Sequence, residues 1–351
     1  MIKYFKIFFY NFLFFLLALI TIELFFGYWF DKDNFGPYLR EHRMKKVEYS
    51  LQYDGQIFDH TYKRNYHGFR GEEINPKNIN AIIIGGSTTD ERYKPEEQTI
   101  TEFLNKKIKQ KKINLKIINA GIEGQTTLGH IFNFEVWFPR LKEFQPNYII
   151  FYIGINDFLT PVENLGKLKT RDGHIVNPSF KEEIMDNLKS RSIFYDLLRK
   201  TKHKYYTTDK PRVVYDFDHS RTKLFWGKKF KFLSYGDALK LYDIDELKLK
   251  NKEKIDYYLK NIDILYEESK KLGAKPIFIN QLDSEGHYKK ELFSLNYALI
   301  DHCKKKKYKC IDLAKKLIGK KEYWWDGLHT TAKGSSVIAD LIFPELYKFI
   351  K

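Results

Sequence analysis

Residues 81–84 read Ala-Ile-Ile-Ile and stop at Gly85-Gly86, a short apolar run with no polar alternation. A strand that offers water neither face needs helices covering both sides, so the run points to a buried parallel sheet. Similar runs recur at 115–118, 148–153, 276–280 and 310–313. Amphipathic stretches between them are expected as helices over 95–113, 128–144 with a stop or kink at Pro139, 290–306 and 333–347. Another helix precedes residue 276, with Ile255, Tyr258, Leu259, Ile262 and Leu265 on one face and Gly273 at its end. The first strands start about thirty residues apart, the spacing of βαβ units. The rhythm lapses over about 158–250, leaving one expected helix over 182–200, and a gap that long implies structure or function of its own. The expected organisation is one doubly wound α/β domain, 81–351, carrying an insertion.

The amino terminus is of another kind. Residues 7–30 are almost all apolar, interrupted by Asn11, Thr21 and Glu23. As a helix the run would be roughly 36 Å long, enough to cross a bilayer core of about 30 Å. Lys3 and Lys6 precede it, so the positive-inside rule places the tail in the cytoplasm and the rest in the periplasm or outside the cell. A cleaved signal peptide is the rival reading, but bulky Phe25, Phe26, Tyr28, Trp29 and Phe30 occupy the place of a small-residue cleavage site. A single-pass anchor over 1–30 is therefore expected, with Glu23 near the interface. Residues 31–80, polar and without clear periodicity, are expected to form an irregular stalk and lead-in.

Composition excludes little beyond disorder. Hydrophobic residues make up 43% and aromatics 17% of 351 residues, a globular balance. The net charge of +16 is spread as lysines along expected helices, with no recognisable nucleic-acid module around them, so no nucleic-acid partner is expected. Cys303 and Cys310 are too few for a zinc site; they could pair in an oxidising compartment or remain two free thiols. No metal or other cofactor is expected.

Ligands of an open parallel sheet bind at the carboxyl ends of its strands. Gly85-Gly86-Ser87-Thr88-Thr89 follows the first strand, Asn119-Ala120-Gly121-Ile122-Glu123-Gly124-Gln125-Thr126 the second, and Gly154-Ile155-Asn156-Asp157 the third. Asp326-Gly327-Leu328-His329 lies in the loop before the last helix. Each motif alone is weak, because a serine after two glycines is usually a turn. Their joint occurrence in this order is hard to produce by accident.

In order and spacing these four motifs resemble the signature blocks of the SGNH (GDSL-like) hydrolase superfamily, over residues 81–340, in its membrane-anchored bacterial form. The resemblance implies a flavodoxin-like three-layer α/β/α sandwich. It implies Ser87 as nucleophile, His329 as general base and Asp326 as the carboxylate that orients it. The Ser87 and Gly124 N–H groups and the Asn156 amide would form the oxyanion hole. The family's first block usually reads G-D-S, whereas Gly86 stands in the aspartate's place here; G-G-S-T-T resembles a variant of anchored members. Asn65-Tyr66-His67-Gly68-Phe69-Arg70-Gly71 resembles their lead-in motif, with Arg70 expected in a structural ion pair.

Chemistry asks for the same residue types. A serine hydroxyl needs a base within hydrogen-bond reach, the base needs a carboxylate to fix its tautomer, and the tetrahedral oxygen needs aimed donors. His130 is expected to be structural, Asp157 to brace the loop after Asn156, and Trp324 and Trp325 either to pack or to stack on a sugar. The expected activity is hydrolysis of O-acyl esters, O-acetyl among them, of an envelope glycan or lipid through an acyl-serine. A transferase passing the acyl group to a sugar hydroxyl, a lysophospholipase or thioesterase, and an inactive binding protein are the alternatives. Expected partners are the acylated substrate, the membrane through the amino-terminal helix and, for the transferase, an integral-membrane acyl donor. Aromatics of the insertion, Tyr205, Tyr206, Tyr215, Phe217 and Trp226, are candidates to face the substrate.

Overall fold

A computed structural model of the chain describes residues 2–30, 42–53, 55–168, 180–205, 213–216 and 230–351. Helix α1 (Ile2–Phe26) is long and apolar enough to cross a membrane, and none of its most apolar window is buried against the rest of the protein. Strands β1 (Lys45–Tyr53) and β2 (Gln56–Arg64) follow as an antiparallel hairpin. Then come β3 (Ala81–Gly85), α2 (Ser87–Asp90), α3 (Ile100–Gln110), β4 (Ile117–Asn119), α4 (Thr127–Val136), β5 (Tyr148–Ile153) and α5 (Ile155–Phe158). Helices α6 (Phe180–Arg191) and α7 (Ile193–Tyr205), strand β6 (Val213–Asp216) and helices α8 (Tyr235–Leu241) and α9 (Ile244–Lys250) make up the described insertion. Helix α10 (Lys252–Lys271), β7 (Lys275–Asn280), α11 (Lys290–Lys306), β8 (Lys309–Ile311) and α12 (Ala332–Ile350) complete the chain.

The main sheet is parallel, in the order β4–β3–β5–β7–β8. Renumbered within the sheet this is 2-1-3-4-5, the flavodoxin-like order, whose switch point lies between β3 and β5. Successive side chains of a strand face opposite ways, and that sorts the apolar runs into two cores. Ile82, Ile84, Ile149, Phe151 and Phe278 pack with α4, α10 and α11. Ala81, Ile83, Ile150, Tyr152, Ile277 and Ile279 pack with α3 and α12 on the other side. The three-layer sandwich expected from the sequence is the observed fold.

Several local expectations are corrected. Strands 45–53 and 56–64, expected within an irregular lead-in, pair as the hairpin, because Val47, Tyr49, Leu51 and Tyr53 alternate and the sequence Asp54-Gly55 that follows them is a hairpin-turn signal. Strand β6 adds to β1 in parallel, so lead-in and insertion share a second, three-stranded sheet. The expected helix over 95–113 starts only at Ile100, where Thr99 caps it by accepting from the Glu102 N–H. The one over 182–200 is two helices parted at Ser192. Helix α4 ends at Val136, before Pro139, as expected. Cys303 and Cys310 are joined in a disulfide between α11 and β8. Of the insertion aromatics, Tyr206, Phe217 and Trp226 lie outside the described residues, as do the side chains of Tyr205 and Tyr215.

Candidate active site

Strand β3 ends at Gly85, and the chain turns through Gly86 into the single helical turn of α2. Thr88, Thr89 and Asp90 of that turn are buried, while Ser87, its first residue, reaches solvent. Across from it, residues 326–329 form a tight turn closed by the Trp325 N–H donating to the His329 carbonyl at 2.7 Å. Asp326 Oδ1 accepts from the Leu328 and His329 N–H groups, both at 2.7 Å, and its Oδ2 accepts from His329 Nδ1 at 2.7 Å. That leaves His329 Nε2 as the acceptor, 2.9 Å from Ser87 Oγ. Burial alone would raise the Asp326 pKa; the His329 ring and the hydrogen bonds outweigh it and hold the carboxyl below its ordinary value. Ser87, His329 and Asp326 are therefore brought together as one hydrogen-bonded relay.

Buried polar bridges set the two halves of the relay against each other. Lys94 Nζ donates to Glu91 Oε1 at 2.8 Å, to Thr330 Oγ1 at 3.0 Å and to Ser335 Oγ at 2.5 Å. It thus ties the loop after α2 to the residue following His329 and to the start of α12. The Tyr93 ring stands edge-on to the His329 ring at 5.4 Å. Tyr53 of the hairpin donates to the Trp324 carbonyl at 3.1 Å, and Trp325 packs edge-on against Tyr53 and Phe58. This packing buries Trp325, and the core on the α3 and α12 side of the sheet buries Trp324, so the sugar-stacking reading gives way to the structural one.

The third block brings Asn156 to the same place. Gly154 takes φ +122°, a conformation costly for any side-chain-bearing residue, and turns β5 abruptly into α5. Asn156 Nδ2 then donates to the Gln125 carbonyl at 2.9 Å, next to Gly124. A Cβ on Gly86 would lie 1.9 Å from that nitrogen. The glycine that replaces the aspartate of the G-D-S block is thus the space in which the Asn156 amide sits, a contact that the sequence alone does not disclose. Asp157 accepts from the Thr127 N–H and hydroxyl at 3.1 and 2.5 Å, bracing α5 against α4 as expected. Buried His130 meets Gln125 Oε1 at 2.9 Å, and burial pushes its pKa down to about 3, so it is a neutral structural group. Arg70 is also structural, with Nε on Glu96 at 2.7 Å and Nη2 on the Lys94 carbonyl at 2.7 Å.

Sequence reading missed a buried charge directly behind the serine. Asp90 accepts from Tyr62 at 2.7 Å and from Arg64 at 2.8 Å, both on β2. Arg64 goes on to donate to the Gly121 carbonyl at 2.7 Å, in the loop that carries Gly124. Tyr62, Arg64 and Asp90 stand next to quoted motifs, but nothing in their spacing marks them as partners.

The close approach at Gly86 carries a prediction. Asn156 has a short side chain that can swing aside, so Gly86→Ala should fold normally while displacing the amide. Loss of one oxyanion donor costs about 10²–10³ in kcat, and steady-state kinetics on an activated acetyl ester should record a loss of that order. A near-normal kcat would mean that the amide does not act from this position.

A flavodoxin-like sheet with a Ser–His–Asp relay at its switch point defines a hydrolase of the serine-esterase class. Residues 60–190 match the family of GDSL-like lipases and acylhydrolases. No curated protein matches the sequence. Among solved structures the chain is similar to a catalytic mutant of Axe2, an acetylxylan esterase from Geobacillus stearothermophilus. The identity is 14%, over 76% of this chain and 93% of that one, with a TM-score of 0.42. It is also similar to the psychrotrophic esterase EstA from Pseudoalteromonas sp., at 13% identity over 77% and 98% of the two chains, with a TM-score of 0.40.

Proposed function

We propose that the chain hydrolyses O-acyl esters of a cell-envelope glycan or lipid, with O-acetyl the simplest such group, through an acyl-serine intermediate. The observation that carries this reading is the continuous relay from Asp326 through His329 to Ser87, at 2.7 and 2.9 Å. Ser87 Oγ attacks the ester carbonyl carbon while His329 Nε2 takes the hydroxyl proton. Negative charge then gathers on the former carbonyl oxygen, which the Ser87 and Gly124 N–H groups and the Asn156 amide hold. The alcohol leaves with the proton from His329, and a water activated by the same imidazole releases the acid from Ser87. Asp326 keeps the proton on Nδ1 and stabilises the imidazolium that forms. A relay kept this complete argues against an inactive binding protein.

The domain is held at a membrane by an uncleaved α1, with Lys3 and Lys6 on the cytoplasmic side and the sandwich in the periplasm or outside the cell. The Cys303–Cys310 disulfide suits an oxidising compartment. Hydrogen bonds join the segment just after α1 to the end of α6 and to α7, which favours a retained helix over a removed signal peptide: Tyr28 donates through its N–H to the Arg191 carbonyl at 2.8 Å and through its hydroxyl to Asp196 at 3.0 Å.

Incubation with a fluorophosphonate should label Ser87, and mass spectrometry of the labelled peptide locates the adduct. Labelling elsewhere, or none in protein that turns over an ester, would overturn the assignment. Adding a sugar acceptor to the ester assay separates hydrolysis from transfer, since a transferase would put the acetyl group on the sugar and release little acetate.

A further inference from the structure

We propose that the hairpin of α6 and α7 is an interfacial element, lying in the headgroup layer of the membrane and locked to the outer end of α1 through Glu23. The inference rests on the anchor reading above and adds to it a second membrane contact made by the insertion.

Glu23 is the one acidic residue in the apolar run, three residues before the end of α1. Its Oε1 accepts from Ser192 Oγ at 2.5 Å and from the Phe194 N–H at 3.4 Å. Its Oε2 accepts from the Ile193 N–H at 3.1 Å and from Trp29 Nε1 at 3.2 Å. Ile193 and Phe194 open α7 and Ser192 caps it by accepting from the Tyr195 N–H, so the carboxylate takes the first two N–H groups of that helix, where backbone N–H groups lack partners and negative charge is favoured. A carboxylate that would be costly near lipid is thereby satisfied by the protein itself. The same bonds decide the height of the hairpin, because a junction pinned at residues 23–29 sits where a spanning helix leaves the hydrocarbon.

The exposed face of the hairpin suits that level. Phe180, Ile184, Met185 and Leu188 all stand exposed on α6, at spacings of four, five and eight residues from the first, which is one helical stripe. Leu197 and Leu198 stand exposed on α7, Leu198 at 68%. Lys181 and Arg191 at the two ends of α6 are exposed as well, the arrangement that meets lipid phosphate while apolar side chains enter the layer beneath. Lipid is the occupant the geometry favours over a second protein, because the junction of α6 and α7 is hydrogen-bonded to the outer end of α1, whose apolar surface is itself bare.

The test uses the full-length chain in vesicles of phosphatidylcholine with a minor fraction of phosphatidylglycerol. Single-cysteine variants at Leu17, Leu188 and Ile318 carry an environment-sensitive fluorophore; Cys303 and Cys310 are already paired. Nitroxide-bearing lipids should quench the label at 188 at least about twofold more than that at exposed 318, as expected for a face buried roughly 5–10 Å into the interface. Glu23→Gln should return the 188 label toward the 318 value and leave the 17 label unchanged. Quenching at 17 with none at 188 would overturn the proposal and leave the anchor standing. A 188 label shielded from aqueous iodide but untouched by lipid quenchers would assign the face to a protein instead. No quenching at 17 would overturn the anchor reading and this inference together. Unchanged quenching at 188 in Glu23→Gln would remove Glu23 as the lock.

Discussion

Asp326→Asn should lower kcat by about 10⁴-fold with the fold unchanged, the largest effect expected of any single amide-for-acid exchange in this chain. The carboxylate accepts three hydrogen bonds, two from the backbone of its own turn and one from His329 Nδ1. An asparagine amide can present its NH₂ to the imidazole and stabilise the tautomer with the proton on Nε2, the nitrogen that must accept from Ser87. The imidazolium would also lose its counter-charge. Circular dichroism and thermal unfolding should match the parent protein while ester turnover collapses. A loss below about tenfold would mean that another group orients the histidine.

Arg64→Ala should destabilise the fold by about 3–5 kcal/mol, the usual consequence of removing one partner of a buried ion pair. Both side chains of the Arg64–Asp90 pair are inaccessible, at 0% and 1% exposure. Truncation leaves Asp90 with Tyr62 and a more distant Arg92, and strips donors from the carbonyls of His42 and Gly121. In thermal unfolding the midpoint should fall by roughly 4–7 °C. A shift of one or two degrees would mean that water or Arg92 takes over the role. Activity should fall too, since Asp90 ends the turn that begins at Ser87.

The sheet and the relay were readable because each depends on short-range pattern. A strand buried on both faces has to be a continuous apolar run, as at 81–84 and 148–153, and Asp326 and His329 meet within a single turn. The hairpin was missed although its signal stood in the sequence, with Val47, Tyr49, Leu51 and Tyr53 alternating with polar residues before Asp54-Gly55. What no local pattern discloses is a partnership across the fold. Arg64 with Asp90, Lys94 with Ser335, and Glu23 with Ser192 are each ordinary charged or polar residues until packing brings them together. The reason for glycine at 86 belongs to the same class, since it depends on where Asn156 arrives.

The parallel pairing of β1 with β6 has a kinetic consequence. Tyr49–Gln52 face Val213–Asp216, roughly 160 residues later, so this is the longest-range strand pairing among the described residues. During synthesis the hairpin can form within microseconds, yet its outer edge stays an open row of backbone donors and acceptors until β3, β4, β5 and the first half of the insertion have followed. Slow chain elongation therefore prolongs a strand edge able to recruit another nascent copy. The charged residues flanking that edge, Lys45, Lys46 and Glu48, are well placed to discourage such pairing until the native strand arrives.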